Sequence, residues 1–128
     1  MAIAENKIQL REEGVIPKLV KLLAPEHSAS IREYSAATLW NLARDDDNKR
    51  IIREEGGLLA LVGMLSDPSE ILQENAAGSL LTLTLNAENR DFVRVMNGLS
   101  ALAALLDSKV EIILEYAVGA LKNCAANR

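Results

Sequence analysis

The sequence predicts an all-α fold in which three helical repeats stack into a solenoid. Similar segments begin at Asn6, Asn48 and Asn89, 42 and 41 positions apart, and internal similarity at such a period is typical of repeat architectures. A second series marks the later part of each copy at intervals of 41: Glu33, Glu74 and Glu115. Apolar residues recur at helical spacing and no segment shows the alternation of a strand. The three copies, 6–47, 48–88 and 89–128, are expected to form one domain over 1–128.

The first helix of each copy is predicted to be short and to end at a residue that tolerates left-handed backbone conformation. The expected spans are 6–13, 48–55 and 89–96, closed by Gly14, Gly56-Gly57 and Asn97-Gly98. Each first helix carries two basic residues four positions apart: Lys7 with Arg11, Lys49 with Arg53, and Arg90 with Arg94. We expect these pairs to form a basic strip that bonds to nearby acids rather than to phosphate.

The second and third helices of each copy each carry an apolar face. In the second helix the spacing i, i+3, i+4, i+7 gives one wide face, with Ile16, Leu19, Val20, Leu22 and Leu23 matched by Leu58, Leu61, Val62, Met64 and Leu65. The longer third helices are expected to turn one stripe inward: Ile31, Ser35, Leu39 and Leu42; Leu72, Ala76, Leu80 and Leu83; Ile113, Ala117, Leu121 and Cys124. Small residues beside these stripes allow neighbouring helices to approach closely.

Composition and charge restrict the classes of partner. The chain has 128 residues, of which 49% are hydrophobic but only 3% aromatic, so the core must be aliphatic. Eighteen acids against 14 lysines and arginines give a net charge of −4, the wrong sign for binding nucleic acid or an anionic membrane. No apolar run approaches a bilayer span, and no signal peptide is recognisable at the N-terminus. We expect an intracellular protein of the cytoplasm or the nucleus.

Residues capable of catalysis or metal binding are scarce. The single histidine, His27, lies in a variable loop, and the single cysteine, Cys124, takes the place of a core leucine. A catalytic thiol would need a partnering base that the sequence does not supply. The acidic run 45–47 lacks the pattern of a calcium loop and is expected to form a solvated turn. The sequence therefore predicts no catalytic residue, no metal site and no cofactor.

The three copies resemble the armadillo repeat. A short first helix closed by Gly is followed by a second helix of the form (I/L)(P/L)xLVxLL and by a third reading E-x-A-A-G-x-L-x-N-L. The resemblance covers nearly the whole chain and is closer to catenin-like and plant U-box-associated arrays than to nuclear-import adaptors. The adaptors carry a tryptophan four residues before the third-helix asparagine, where this chain has Ala37, Gly78 and Gly119.

This resemblance implies a right-handed superhelix in which the third helices line a concave groove for extended peptides. The groove asparagine of the family falls on Asn41 and Asn123, and Thr82 replaces it in the middle copy. An amide side chain offers both a donor and an acceptor, so that a row of them can hold a peptide main chain whatever its sequence.

Periodicity alone also places a second stripe on the third helices. Its glutamates form an acidic row that favours basic or amide-rich peptides, although acids near a first turn also suit the helix dipole. Trp40 is either a binding residue or a filler of the seam between repeats. Leu81 with Leu85 would add an apolar patch if exposed. The predicted peptide-binding residues are Asn41, Asn123, Thr82, Trp40, Glu33, Glu74, Glu115, Leu81 and Lys122.

The sequence thus predicts a non-catalytic scaffold that binds an extended segment of a partner protein, with a basic segment as one candidate. The alternative is a self-associating module, or a fragment of a longer array, that stacks through uncapped ends. Apolar residues at both ends suggest this alternative: Ile8, Leu10 and Ile16 at one end, and Ala120, Leu121, Cys124 and Ala125 at the other.

Overall fold

A computed structural model describes residues 3–126, which form helices and connecting turns without a strand. The helices are α1 (Ile3–Glu12), α2 (Val15–Leu22), α3 (Ala29–Leu42), α4 (Asp46–Glu54), α5 (Gly57–Met64), α6 (Glu70–Leu83), α7 (Ala87–Val95), α8 (Gly98–Ala104) and α9 (Glu111–Ala125). A short 3-10 turn, Leu105–Asp107, follows α8. The predicted all-α repeat solenoid is confirmed.

Left-handed residues separate the first helix of each copy from the second, as the sequence predicts. The φ angles of Gly14, Gly56 and Asn97 are 74°, 86° and 63°. A second glycine follows at position 57, where a Cβ atom would lie 2.9 Å from the backbone oxygen of Ile52. The close approach of α5 to α4 therefore requires glycine at that position.

Polar caps set where the helices begin. Asp45 and Asn86 cap α4 and α7 by accepting hydrogen bonds from the backbone N–H groups of Asn48 and Asn89, both at 3.0 Å. These two helices therefore begin two residues before the predicted positions 48 and 89, because the cap lies three residues ahead of each asparagine. Ser28 and Ser69 cap α3 and α6 in the same way.

The third helices pack side by side, since α6 contacts both α3 and α9, and each second helix packs on the third helix of its own copy. The core between them is aliphatic. Its largest fully buried side chains are Ile16, Leu39, Leu42, Ile52, Leu58, Leu61, Leu65, Leu72, Leu80, Leu83, Leu102 and Ile113. Within residues 3–126 no helix is both long enough and apolar enough to cross a bilayer.

The burial of five residues differs from the prediction. Ile31 is 43% exposed, whereas the equivalent Leu72 and Ile113 are at most 1% exposed. The difference arises because α6 and α9 each lie against a preceding third helix, and α3 has none within the described chain. Leu121 is only half-buried, since no later third helix covers it. Three residues that were expected at the open ends pack instead into the core and are at most 4% exposed: Ile16, Ala120 and Cys124.

Candidate functional site

The nine predicted peptide-binding residues lie on α3, α6 and α9, the three helices that pack side by side. We call the surface that they share the third-helix surface. Three of the nine are exposed: Asn41, Glu115 and Lys122. The other six are half-buried: Glu33, Trp40, Glu74, Leu81, Thr82 and Asn123. Contacts between side chains of different repeats explain much of this partial burial.

Trp40 lies across the seam between repeats. Its ring covers Gly78 of α6 so closely that a Cβ atom there would be 2.3 Å from the ring carbons. The same ring meets Tyr116 of α9 edge to face, with centroids 5.2 Å apart and an angle of 87° between the planes. Such a geometry is favourable for aromatic pairs. Trp40 therefore links all three repeats along the third-helix surface.

Leu81 repeats this arrangement one copy later. A Cβ atom at Gly119 would lie 2.7 Å from Cδ1 of Leu81, so that Leu81 covers α9 as Trp40 covers α6. Leu81 therefore packs in the seam between repeats. Of the apolar patch predicted for Leu81 and Leu85, the exposed member is Leu85, which is 64% exposed. Ala37, the equivalent of the two glycines, has a Cβ atom that no earlier third helix of the described chain would meet.

The three positions that correspond to the groove asparagine of the family differ in their hydrogen bonds. Nδ2 of Asn123 donates to the backbone oxygen of Leu81 at 3.0 Å and to Oγ1 of Thr84 at 3.1 Å, which ties α9 to α6. The Thr82 hydroxyl donates to the backbone oxygen of Gly78 in its own helix. Asn41 is exposed and has no such bond within the described chain, so both groups of its amide are available to a ligand.

Negative charge accumulates where α6 and α9 meet. The pKa of the Tyr116 phenol is raised, first by burial and then by the carboxylates of Glu74 and Glu115. Both glutamates therefore act on one point of the third-helix surface. Glu33 lies one repeat earlier on α3, where its backbone oxygen accepts a hydrogen bond from Nδ2 of Asn75 on α6 at 3.4 Å.

The basic residues of the first helices join consecutive repeats. Arg11 donates to Oδ2 of Asp45 at 2.8 Å and to Oδ1 of Asn48 at 3.1 Å. Arg53 repeats this with Oδ1 of Asn86 at 3.2 Å and Oδ1 of Asn89 at 2.9 Å. In the sequence the two asparagines mark the start of a repeat, and this bonding role is not predicted. Their recurrence three residues after Asp or Asn was the signal that could have identified this joint.

A second basic residue lies four positions before Arg53 and before Arg94, and it has a different role. Lys49 and Arg90 donate to backbone oxygens at the ends of α3 and α6, namely those of Arg44 and Leu85, both at 3.3 Å. Cations at the C-terminal end of a helix satisfy free carbonyls and oppose the helix dipole. The expected basic strip is thus a set of contacts that stabilise the stack.

The two residues considered for chemistry lie apart from one another. His27 lines a cleft of about 900 Å³ between α2 and α5, beside the ion pair of Arg32 with Asp67. Cys124 is 4% exposed, and burial raises the pKa of its thiol more than the nearby Arg94 and Arg90 lower it. Among the residues that the structure describes, no three His, Cys, Asp or Glu side chains are grouped to hold a metal ion.

Comparison with known proteins agrees with this architecture. The Armadillo/beta-catenin-like repeat family matches residues 4–44, 45–84 and 86–126. The chain belongs to the armadillo repeat family. Armadillo repeat proteins are generally non-catalytic scaffolds for protein interaction, and the predicted role of scaffold is supported at that level.

Relatives of known name match parts of this armadillo chain. The rat (Rattus norvegicus) splicing regulator ARVCF is 38% identical over 53 residues, which are 41% of this chain and 5% of that protein. Radial spoke protein 14 of Chlamydomonas reinhardtii is 37% identical over 65 residues, 51% of this chain and 17% of that protein. The matched segments thus span small fractions of both relatives.

Solved armadillo structures match nearly the whole described chain. A designed armadillo repeat protein in complex with the peptide (KR)4 has a TM-score of 0.90 and 28% identity, covering 97% of this chain and 52% of that one. Another designed armadillo repeat protein has a TM-score of 0.88 and 28% identity, with coverage of 94% and 51%. This chain therefore spans about half the length of these structural neighbours.

Proposed function

We propose that this armadillo array binds an extended, lysine- and arginine-rich peptide segment of a partner protein across the third-helix surface. The observation that supports this most directly is the position of Glu74 on α6 and Glu115 on α9 beside Tyr116, where both carboxylates add to the effect of burial in raising the pKa of the phenol. Complementary charge promotes encounter and fixes register more than it adds raw affinity. The designed neighbour solved with (KR)4 is a precedent for this peptide chemistry on the same fold. The single cysteine cannot form an internal disulfide and suits a reducing compartment, so that we place this binding in the cytoplasm or the nucleus.

Each predicted residue has a distinct role in this proposal. Asn41 donates to and accepts from the peptide backbone, since its amide is exposed. Asn123 offers only its oxygen, because Nδ2 is engaged by Leu81 and Thr84. Glu74 and Glu115 attract the cationic side chains, with Glu33 extending the acidic row. Trp40 supplies a half-buried aromatic face on which an arginine can stack.

Calorimetric titration with a (KR)4 peptide tests the proposal. Asn41→Ala should weaken binding by about 2- to 10-fold, as expected for loss of one or two hydrogen bonds. Glu74→Gln with Glu115→Gln should weaken it further and should reduce its dependence on salt. Glu13→Gln with Glu55→Gln is the matched control, because it removes the same two charges from exposed residues at equivalent positions of the first and second repeats, outside the third helices.

The double variant Asn41→Ala, Asn123→Ala should bind most weakly while keeping the helical circular dichroism of the wild type. Because Asn123 ties α9 to α6, thermal unfolding must be recorded and titrations performed well below the transition. Wild-type affinity in the double variant would contradict the proposal. An effect of Glu13→Gln with Glu55→Gln equal to that of Glu74→Gln with Glu115→Gln would contradict the proposed place of binding.

A further inference from the structure

A cleft of about 900 Å³ lies at the junction of the first two repeats, between α2 and α5 and beside the loops that follow them, 23–28 and 65–69. None of the nine predicted peptide-binding residues lines this cleft. Both of its walls belong to an internal junction of the stack, so its formation does not depend on where the sequence begins or ends. Ligand sites typically have volumes of about 300–1,000 Å³, so this cleft has room for several side chains of a peptide. We call it the second-helix cleft.

The equivalent cleft at the second junction is smaller, at about 410 Å³. Ala104 and Gln73 line it at the positions that Gly63 and Arg32 take in the second-helix cleft. The loop 23–28 is also one residue longer than the loop 65–69, and α5 contacts α8 more extensively than it contacts α2. The second-helix cleft is therefore a feature of one junction and not of the repeat in general.

Apolar side chains form much of the lining of the second-helix cleft. Leu59 of α5 is 62% exposed, and the equivalent residues of the other repeats are Pro17 and Ser100. Val20 of α2 lines the same cleft. One turn after Leu59, Gly63 leaves open space, because no atom lies within 4 Å of a Cβ atom built there. The cleft thus has room for a large apolar side chain beside Leu59.

Arg32 brings a fixed positive charge to the second-helix cleft. Its side chain is 12% exposed, its Nε donates to the backbone oxygen of Leu23 at 3.1 Å, and its Nη2 lies 3.1 Å from Oδ2 of Asp67. Nη1 has no hydrogen-bond acceptor within the described chain, but it is not sealed from solvent. Asp67 is itself engaged, because its Oδ1 accepts a bond from the backbone N–H of Ser69 at 2.9 Å. The guanidinium is therefore held in place with a donor group free for an anion.

Two further charges line the cleft and have no ion-pair partner within the described chain, namely Lys21 and Glu26. Both residues are exposed. Salt screens exposed charges strongly, whereas it screens a largely buried charge much less. Arg32 therefore outweighs Glu26, and together with Lys21 it gives the cleft a preference for a carboxylate.

We propose that the second-helix cleft binds an acidic peptide segment of a partner protein. A large apolar side chain of the segment packs beside Leu59, and a neighbouring carboxylate accepts a hydrogen bond from Nη1 of Arg32 and is attracted by Lys21. A free anion would leave the apolar lining uncovered, and a purely apolar ligand would leave the guanidinium without an acceptor. The cleft is thus a second binding site, which differs from the third-helix surface in place and in the charge that it prefers.

An NMR titration of the full chain with the blocked peptide acetyl-Glu-Leu-Phe-Glu-amide tests the proposal. The backbone amide signals of Leu59 and Gly63 should shift and reach saturation. The same peptide with both glutamates replaced by glutamine should bind about tenfold more weakly, because it cannot form the charge-assisted hydrogen bond with Arg32. A peptide with serine in place of leucine and phenylalanine should also bind about tenfold more weakly, because it buries less apolar surface.

Gly63→Leu fills the second-helix cleft and should weaken binding of the acidic peptide by about tenfold or more. The position is exposed and has open space, so the helical circular dichroism of the wild type should be retained. Ala104→Leu is the matched control, since it places the same side chain at the equivalent exposed position of the third repeat. Its affinity for the peptide should equal that of the wild type.

Charge substitutions test the contribution of the cations. Lys21→Gln should weaken binding of the acidic peptide by about 2- to 5-fold, as expected for an exposed charge. Lys18→Gln is its control, because Lys18 is exposed on the same helix but does not line the cleft. Glu26→Gln should strengthen binding by about twofold, because it removes the opposing charge.

Three results would each overturn the proposal: no saturable binding of the acidic peptide, equal binding of its glutamine counterpart, or wild-type affinity in Gly63→Leu. Titration of Gly63→Leu with (KR)4 separates this proposal from binding at the third-helix surface. The affinity for (KR)4 should match that of the wild type, because the two sites share no residue. A parallel loss of both peptides in Gly63→Leu would contradict the existence of two separate sites.

Discussion

At the scale of single residues, each third helix has one position for a small residue. Whether a methyl group fits there depends on the large side chain that the preceding repeat places above it. Gly78 and Gly119 lie beneath Trp40 and Leu81, whereas Ala37 has no earlier third helix above it in the described chain. The sequence indicates only that small residues favour close approach. Which large side chain approaches could not be predicted, because Trp40 and Gly78 are 38 positions apart and meet only in the folded stack.

Gly78→Ala should destabilise the protein. The new methyl group would meet the Trp40 ring, which is also held against Tyr116, and overpacking of this kind costs about 1–3 kcal/mol. We expect the free energy of unfolding in urea to fall by up to about 2 kcal/mol, since the gain in helix propensity offsets about 1 kcal/mol of the cost. Gly63→Ala is the control: no atom lies within 4 Å of its Cβ position, and stability should rise by about 0.5–1 kcal/mol. Equal effects at both glycines would contradict the contact.

The pKa of Tyr116 provides a test of the local charge. Glu74→Gln and Glu115→Gln should each lower this pKa, because removal of a negative charge makes the phenolate less unfavourable. The pKa should stay above its ordinary value, since burial is the larger cause. Tyr34→Phe leaves Tyr116 as the single tyrosine, so that an ultraviolet absorbance titration measures it directly.

Glu70→Gln, in the first turn of α6, is the control for this titration. It removes one negative charge from the same helix without removing a carboxylate that acts on Tyr116. A pKa of Tyr116 that responds equally to Glu70→Gln and to Glu74→Gln would argue against a specific acidic site at the junction of α6 and α9.

At the scale of helices, the order and type of the elements could be predicted, because glycines and apolar periodicity mark them locally. Helix starts were less accurate. The sequence predicts that α4 and α7 begin at Asn48 and Asn89, whereas capping by Asp45 and Asn86 begins each helix two residues earlier. The function of the same asparagines in joining repeats depends on Arg11 and Arg53, which lie more than 30 positions away in sequence. A local sequence pattern does not show which residues meet in the fold across such a separation.

Arg53→Ala should destabilise the protein more than the removal of an ordinary surface charge does. The Arg53 side chain is 7% exposed, donates to Asn86 and Asn89, and lies 5.8 Å from the centroid of the Phe92 ring. Its removal leaves Oδ1 of a fully buried asparagine without a donor, at a cost of about 1–3 kcal/mol. Chemical denaturation measures the change in the free energy of unfolding.

Arg50→Ala is the matched control on α4. Its partner is Glu54, one turn away, and both side chains are about half exposed. Ion pairs of this kind contribute about 0.3–0.5 kcal/mol. A loss of stability in Arg53→Ala no larger than that in Arg50→Ala would mean that the hydrogen bonds of Arg53 to the next repeat do not stabilise the stack as predicted.

At the scale of the molecule, the repeat fold could be predicted because one set of local rules is applied three times. The effect of a copy's position in the stack on the burial of its residues could not be predicted. Ile31, Leu72 and Ile113 share one sequence position, yet only the first is exposed, because burial in a solenoid depends on the neighbouring repeat. The candidate site shows the same division: its residues share a surface as predicted, but the commitment of Asn123 to α6 appears only in three dimensions.

The contact of Trp40 with Gly78 and Tyr116 also gives the protein an intrinsic optical reporter. Trp40 is the only tryptophan, and its ring touches residues from the second and third repeats. Its fluorescence therefore responds when any of the three repeats separates from the others. Comparison of this signal with circular dichroism during unfolding would distinguish loss of stacking from loss of helix, without a label or a mutation.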